Sequence, residues 1–482
     1  MSLKKFKLYH LGLLILFVAS FTLRFINLSY SEFQDDEQKT YLGPEKNESN
    51  IEFLLRQRKG PMQFLISYIP FSMFKEEVNE LAVRLPFTLF NFLSVFVLYG
   101  FIYKVTKSHL ASLLTSLLYS INGFIVGFSR IAQYQNLNLL FSFLSLYFFA
   151  DLKYKRKDFM ISAVIGAVFT SLSILSHWDA VFYAIPVIYF LGFFIFRRDI
   201  SKKEKVACIF AIFLVGAILV LPYFGAYIFN LISQQSGNVD YLFKRIGIEG
   251  SLFSRHRYIF ELYNPVITLW LYLFGLAACV LFIKKTGVFF FWFVFNLLLI
   301  KFFMITPKTH IYNYVFPGII ASSLGIYYFY DYVSTKLKIL RISVIVIMVI
   351  FVSLLYVQSY QIFVDHKKEY PFDAKKILWH QNHVFIDNEI ITFGFPHNRN
   401  WKKVDEIISP SCRYITNESK GISQIYIRAK YGFSEDCYYL VVIKKPFYTK
   451  NSGVVYAQAR GPKLVYQYVR DGEVLTRVYR LR

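Results

Sequence analysis

About eleven long apolar runs dominate this chain and leave few folds open to it. A helix needs about 20 apolar residues to cross the hydrocarbon of a membrane. With 55% hydrophobic and only 18% charged residues, the chain is predicted to be an α-helical polytopic membrane protein. The runs cover roughly residues 7–27, 84–104, 109–128, 136–151, 159–176, 180–196, 206–228, 265–283, 286–304, 311–331 and 340–362.

The first run follows a basic start, as in a signal peptide, but no small-residue cleavage site comes after it. We therefore predict a first transmembrane helix rather than a cleaved signal. Every second connection between the runs is basic, for example 153–157 with three Lys and one Arg. The positive-inside tendency places these connections in the cytoplasm. The net charge of +23 thus indicates membrane orientation, and no nucleic-acid partner is expected.

This topology places the unusual polar stretches together on the outer face. We expect a transmembrane domain over 1–363, whose outer loop 28–83 carries an acidic motif, and a small α/β domain on the outer face over 364–482. In that tail, "CYYLVVIKK" and "VFIDNEIITFGF" are strand-like, and two alternating arms around Asp471-Gly472 predict a hairpin. Cys412 and Cys437 lie in the same domain and are candidates for a disulfide if it faces an oxidising compartment.

The acidic motif is "SEFQDDEQKTY", with Asp36 and Glu37 next to the first predicted helix. A carboxylate near the membrane interface is costly unless it is solvated, paired or bound to a cation. Cations, histidines and one further acid lie on the same face, and the basic ones are candidate ligands of a phosphate. These residues are Arg58, Lys59, Arg130, His177, Asp179, Arg255, Arg257, Lys308 and His310. Arg58 and Lys59 precede a segment, about 61–74, that is predicted to be an interfacial helix.

Residues 5 to about 330 resemble the GT-C membrane glycosyltransferases, in the branch of the protein O-mannosyltransferases and lipid A aminoarabinose transferases. The motifs are "DDEQKTY", "RKGPMQFLIS", "LAVRLPFTLFNFLSVFVLYGFIYKV" with "SRIAQYQNLNLLFSFLSLYFF", and "TPKTHIYNYVFP". The chain departs from the family pattern in places: Thr40 stands where a Tyr is usual, with Tyr41 one residue later, and Arg58 stands where the aminoarabinose transferases place an acid.

The resemblance implies a transferase that uses a polyprenyl-phosphate-linked sugar as donor and a hydroxyl group as acceptor. Asp36 matches the family's general base, and Glu37 orients the acceptor or a cation. Lys59 is the first candidate for stabilising the leaving phosphate. Arg58, Arg130, Arg255, Arg257 and His310 are further candidates for the phosphate, and His177, Asp179, Tyr41 and Lys308 are other site candidates. The family also implies that the transfer inverts the anomeric configuration.

A metal requirement is left open, because "AQYQN" lacks the Asp that some members use; if a divalent ion binds, Asp36 and Glu37 are its candidate ligands. The acceptor is a protein, a lipid or a glycan. A transporter of a lipid-linked or small anionic substrate is the alternative function, although no repeated halves or interrupted helices favour it. The site is expected outside the plasma membrane, on its periplasmic or extracellular side, or in an organelle lumen if the cell is eukaryotic.

Overall fold

The computed structural model describes residues 3–481 of the 482-residue chain, with some gaps. The gaps are residues 42, 45–46, 58–59, 74–78, 155–156, 234–264, 305–307, 337–339, 368, 370–374, 377–378, 381–393, 435, 445 and 447–461.

A helix lies at each apolar run of the sequence, and short helices connect some of them. In chain order the helices are α1 Leu3–Phe25, α2 Asn50–Leu55, α3 Met62–Met73, α4 Glu80–Thr106, α5 His109–Ile121, α6 Gly123–Ser129, α7 Tyr134–Tyr154, α8 Phe159–Ser176, α9 Ala184–Phe196, α10 Lys202–Ser233, α11 Pro265–Leu281, α12 Ile283–Phe303, α13 Tyr312–Lys336 and α14 Leu340–Phe363. Three 3₁₀ helices are η1 Asp35–Tyr41, η2 Trp178–Tyr183 and η3 Lys308–Ile311.

Six of the described helices are long and apolar enough to cross a membrane, or seven if the bent pair α5 and α6 forms one span. The chain is therefore a multi-pass membrane protein, as predicted. The bend of 65° lies at Asn122. Its side-chain oxygen accepts hydrogen bonds from the backbone N–H groups of Phe124 and Ile125, at 3.0 and 3.3 Å. This cap satisfies donors that a helix start leaves open, so a new helix begins there in a different direction.

The tail contains a small mixed sheet. Its strands have the order β4-β3-β5-β7-β6. β3 (Arg413–Thr416) pairs in parallel with β4 (Lys430–Tyr431) and β5 (Tyr438–Ile443), and β7 (Glu473–Arg480) pairs antiparallel with β5 and β6 (Lys463–Arg470). Two short helices, α15 Trp401–Ile407 and α16 Lys420–Tyr426, pack on it, and a separate hairpin joins β1 (Lys375–Lys376) to β2 (Trp379–His380).

Two sequence predictions for the tail agree with the structure, and a third falls outside it. Asp471 and Gly472 have positive φ angles of 50° and 77°, as a tight hairpin turn requires, and they join β6 to β7. Cys412 and Cys437 form a disulfide. The predicted strand "VFIDNEIITFGF" lies almost entirely outside the described residues.

The tail and the acidic loop share one apolar core. Phe33 of the loop and Phe87 of α4 are buried in the same cluster as Trp401 and Tyr426 of the tail. The Tyr426 hydroxyl accepts the backbone N–H of Phe33 at 2.6 Å and donates to Glu80 at 3.0 Å. The tail is therefore packed directly against the loop that carries the acidic motif.

Candidate active site

Glu37 is a buried anchor of the acidic motif. Its carboxylate accepts two hydrogen bonds from the Arg84 guanidinium, at 2.8 Å to Oε1 and 2.7 Å to Oε2. It also accepts the backbone N–H groups of Ala132, at 2.8 Å, and Gln34, at 2.9 Å. Neither Glu37 nor Arg84 is more than 1% exposed. A buried charge pair is tolerated only when its hydrogen bonds are satisfied in this way, so Glu37 holds the motif in place.

Arg84 also holds the chain that precedes the motif. Besides Glu37, its guanidinium donates to the carbonyl oxygens of Leu28 at 3.1 Å, Ser31 at 2.6 Å and Glu32 at 2.9 Å. A planar guanidinium with several fixed donors suits this combined role. The start of α4 thereby fixes the path of the loop between α1 and η1.

Asp36 is in a different environment from its neighbour. Its carboxylate pairs with Lys39, one turn along η1, and its side chain is 29% exposed. The 3₁₀ helix that carries Asp36 is fixed through Glu37, while the Asp36 carboxylate stays within reach of solvent. The side chain of Asp35 lies outside the described residues, and Tyr41 ends the 3₁₀ helix with its ring against Phe33.

A partly open apolar cavity of about 240 Å³ adjoins the motif. Thr40 of η1 forms one wall, and residues of α2 and α3 form the others. The apolar lining residues Phe53, Phe64, Leu65 and Tyr68 are contributed by these two helices. α3 coincides with the segment 61–74 predicted as an interfacial helix. A substrate with an apolar part would find a matching surface beside Thr40, in the same 3₁₀ helix as Asp36.

Arg130 lies at the end of α6, where its guanidinium donates to the carbonyl oxygens of Leu23 and Arg24 at 3.0 and 3.2 Å and of Asn27 at 3.0 Å. These carbonyls belong to the end of α1 and the residues just after it, which a cation stabilises. Arg130 is 5% exposed. In this arrangement it joins α6 to α1, and its predicted contact with a donor phosphate stays a prediction.

Three further candidates from the sequence meet at one point. Nδ1 of His310, in η3, lies 2.9 Å from both carboxylate oxygens of Asp179, in η2. Nδ1 of His177, at the end of α8, lies 3.0 Å from Oδ1 of the same carboxylate. All three side chains are buried, and one potential ligand atom from each lies within 4.8 Å of the others. Among the described residues this group, rather than Asp36 with Glu37, has the arrangement of a metal site.

This cluster is connected to the acidic motif through the start of α7. The ring of Tyr134 stacks on His177 with a centroid separation of 3.8 Å and an interplanar angle of 12°. Two residues earlier, Ala132 donates its backbone N–H to Glu37. Gly60, in turn, packs against Leu175 at the end of α8. The acidic motif, the segment after Lys59, the start of α7 and the ends of α8 and η3 therefore converge at one end of the helical bundle.

Several predicted phosphate ligands are not described. Arg58, Lys59, Arg255 and Arg257 fall in gaps of the structure. Of Lys308, another site candidate, only the backbone is described, as the first residue of η3. Their predicted role is therefore neither supported nor opposed by the geometry.

Comparisons with known proteins bear on the fold. Among curated protein sequences, none matches this chain significantly. Residues 58–223 match the sequence profile of the dolichyl-phosphate-mannose-protein mannosyltransferases. The crystal structure of ArnT from Cupriavidus metallidurans bound to undecaprenyl phosphate is similar with a TM-score of 0.57 and 12% identity, over 98% of both chains. The fold is that of the GT-C glycosyltransferases.

A second GT-C structure agrees. The oligosaccharyltransferase of Archaeoglobus fulgidus, in complex with Zn and sulfate, is similar with a TM-score of 0.52 and 13% identity, over 90% of this chain and 68% of that chain. The apo state of the Cupriavidus ArnT gives a TM-score of 0.56. The resemblance to GT-C enzymes predicted from the sequence motifs is thus confirmed in the family profile and in the fold.

Two further residues hold the acidic loop in place, and neither is a site candidate from the sequence. Arg84 is the first residue of the predicted span 84–104. An ionisable residue inside a predicted span often has a functional role, and this is the signal in the sequence that could identify it. Glu32 carried no signal beyond being an acid in the same loop. Its carboxylate accepts the backbone N–H groups of Arg399 at 2.5 Å and Trp401 at 2.6 Å, and no local pattern indicates a partner so distant in sequence.

Proposed function

We propose that this chain is an integral membrane glycosyltransferase that transfers a sugar from a polyprenyl-phosphate-linked donor to a hydroxyl acceptor. The observation that carries the proposal is the contrast at the acidic motif. Glu37 is locked by Arg84, while Asp36 is partly exposed in the same 3₁₀ helix whose Thr40 lines an apolar cavity. The fold and the family profile support this class of reaction.

In this proposal Asp36 is the general base. As the acceptor hydroxyl attacks the anomeric carbon of the donor, Asp36 takes its proton, and the bond from that carbon to the lipid phosphate breaks. The displacement is a single step, so the anomeric configuration is inverted. Because η1 is held by four hydrogen bonds to Glu37, the base is oriented before the acceptor arrives.

The leaving group is a polyprenyl phosphate, which carries its negative charge without an acid catalyst and needs that charge stabilised. Lys59 is the proposed first ligand of this phosphate, with Arg58, Arg255 and Arg257 as further cations. Gly60 supports this choice, since it lies against the end of α8 close to the centre where the other elements meet. The apolar cavity beside Thr40 offers a surface to a lipid chain.

We propose that the site faces the periplasm, the extracellular space or an organelle lumen. The basic connections 104–107, 153–157 and 197–205 lie at helix ends opposite to those that meet at the acidic motif. The disulfide between Cys412 and Cys437, in the domain packed on the acidic loop, fits an oxidising compartment.

The decisive test is transfer of labelled sugar from polyprenyl-phosphate donors by membranes that contain the protein, with Asp36→Asn as the variant. Loss of a general base typically lowers the rate 10²–10⁴-fold. Asp35→Asn is the matched control, because it makes the same change at the adjacent position, for which we propose no role in the reaction. Full activity of Asp36→Asn would refute the assignment of the base, and no transfer by the wild type from any donor would refute the reaction class.

A further inference from the structure

The cluster of His177, Asp179 and His310 plays no part in the proton transfer described above, yet it is built like a binding site. It brings two imidazoles and one carboxylate together from α8, η2 and η3, although Asp179 and His310 are 131 residues apart. The exposed fractions of the three side chains are 6%, 5% and 5%. A carboxylate removed from water to this extent requires a cation or a dense set of donors.

The contacts of His177 favour a cation between the side chains. Its Nδ1 accepts the backbone N–H of Asp179 at 3.1 Å, which requires a lone pair on that nitrogen. The same atom lies 3.0 Å from Oδ1 of the Asp179 carboxylate. A nitrogen with a lone pair cannot donate a proton to that oxygen, so two electron-rich atoms face each other at hydrogen-bond distance. A cation bound by both atoms would take the Nδ1 lone pair in place of the backbone N–H of Asp179 and would remove this repulsion.

We propose that His177, Asp179 and His310 bind one divalent metal ion of the zinc type. Two imidazole nitrogens and one carboxylate oxygen are a common ligand set for zinc, which leaves a fourth position for water or another ligand. Magnesium and calcium prefer sites made of oxygen atoms, so the two nitrogens select a transition metal. Bonds of about 2 Å place tetrahedral ligand atoms roughly 3.3 Å apart. The N–O distances of 2.9 and 3.0 Å are close to this value, and the potential ligand atoms of all three side chains lie within 4.8 Å of one another.

Bound at this point, the ion ties together three separate parts of the bundle. His177 ends α8, Asp179 lies in the 3₁₀ helix before α9, and His310 lies in the 3₁₀ helix before α13. Tyr134, stacked on His177, extends the connection to α7. The ion would thus hold the outer ends of four helices in register, independently of the sugar-transfer reaction proposed above.

The test is the metal content of the purified wild-type protein, measured by elemental analysis. An affinity tag without histidine is needed, because a histidine tag itself binds zinc. We expect about one zinc per chain after dialysis against buffer without metal, and near-complete loss of zinc in Asp179→Asn and His310→Gln. His109→Gln is the control, because His109 lies at the start of α5, where its Nδ1 bonds the Tyr99 hydroxyl at 2.7 Å.

A second measurement keeps the test valid if the variants fold poorly. Removal of zinc by a chelator should lower the thermal unfolding midpoint of the wild type, and added zinc should restore it, since an ion that binds only the folded state stabilises it. Wild-type protein without zinc, even after incubation with a micromolar excess, would overturn the proposal. So would Asp179→Asn protein that retains the wild-type zinc content, because the ion would then be adventitious only.

Discussion

Glu37 and Asp36 are adjacent acids, but their carboxylates differ in burial and in hydrogen bonding. Glu37 has both oxygens bonded inside the protein, to Arg84 and to the backbone at Ala132 and Gln34. Asp36 pairs with Lys39 near the surface. The first arrangement makes folding depend on the charge, and the second leaves the Asp36 carboxylate partly exposed.

Glu37→Gln is expected to destabilise the protein, because it leaves the Arg84 cation buried without its counter-charge. Breaking a buried pair in this way costs about 3–5 kcal/mol. Asp36→Asn removes only a partly exposed pair, worth about 0–1 kcal/mol. Thermal unfolding of both detergent-purified variants checks the difference. An unfolding midpoint for Glu37→Gln equal to that of Asp36→Asn would contradict the anchoring role of Glu37.

At the scale of residues, the sequence singles out candidate residues but does not predict their contacts. The motif identified Asp36 and Glu37, and position on the outer face identified His177, Asp179 and His310. Their partners depend on the tertiary structure: Arg84 is 47 residues from Glu37, and no periodicity connects His310 to Asp179. A motif can predict which residues are candidates for a site. The contacts between segments that are distant in sequence can be known only from the folded structure.

At the scale of elements, Gly60 joins the segment after Lys59 to the end of α8. Its φ of +113° lies in a region that residues with a Cβ atom rarely adopt. A Cβ atom here would lie 2.2 Å from the carbonyl oxygen of Leu175. Since a backbone atom cannot rotate away, the segment or the end of α8, next to His177, would have to move.

Gly60→Ala is therefore expected to lower both stability and activity. Positive-φ strain and overpacking together cost about 3 kcal/mol, and displacement of the end of α8 disturbs the site. Gly43→Ala is the matched control, because a Cβ atom at Gly43 has nothing within 4 Å. Sugar transfer and the thermal midpoint should be near wild type in Gly43→Ala and clearly reduced in Gly60→Ala. Equal behaviour of the two variants would show that the close approach at Gly60 has no consequence.

The helices themselves were predictable because their signal is local. Apolar runs of membrane-spanning length and a hairpin turn at Asp471-Gly472 depend only on neighbouring residues. The bend after α5 was not predicted. The run 109–128 contains the turn-favouring pair Asn122-Gly123, and the break there depends on the cap made by Asn122.

At the scale of the whole molecule, the tail is bound to the acidic loop through Glu32. Burial raises the pKa of Glu32 to about 7, although hydrogen bonds from the backbone of Arg399 and Trp401 oppose the shift. A folded-state pKa above the unfolded value of 4.5 means that the folded protein binds the proton more tightly. The stability that this proton supplies is fully present below pH 4.5 and is lost as the pH rises through about 7.

Wild-type protein should accordingly lose on the order of 3 kcal/mol of stability between pH 5 and pH 8 from this one group. Glu32→Gln removes the titration and should show a smaller fall of the thermal unfolding midpoint over the same pH range. The difference between the two proteins isolates Glu32 from all other titrating groups. Parallel curves for the wild type and Glu32→Gln would contradict the raised pKa.

The contact between Glu32 and Arg399 joins residues 367 positions apart. During synthesis, the acidic loop leaves the ribosome long before Arg399, Trp401 and Tyr426 exist to cover it. Until the intervening helices have entered the membrane, the carboxylate of Glu32 lacks the hydrogen bonds that Arg399 and Trp401 later donate. A chain interrupted before this region would hold the acidic motif and most of the bundle without the surface that closes the loop, so incomplete chains should not transfer sugar.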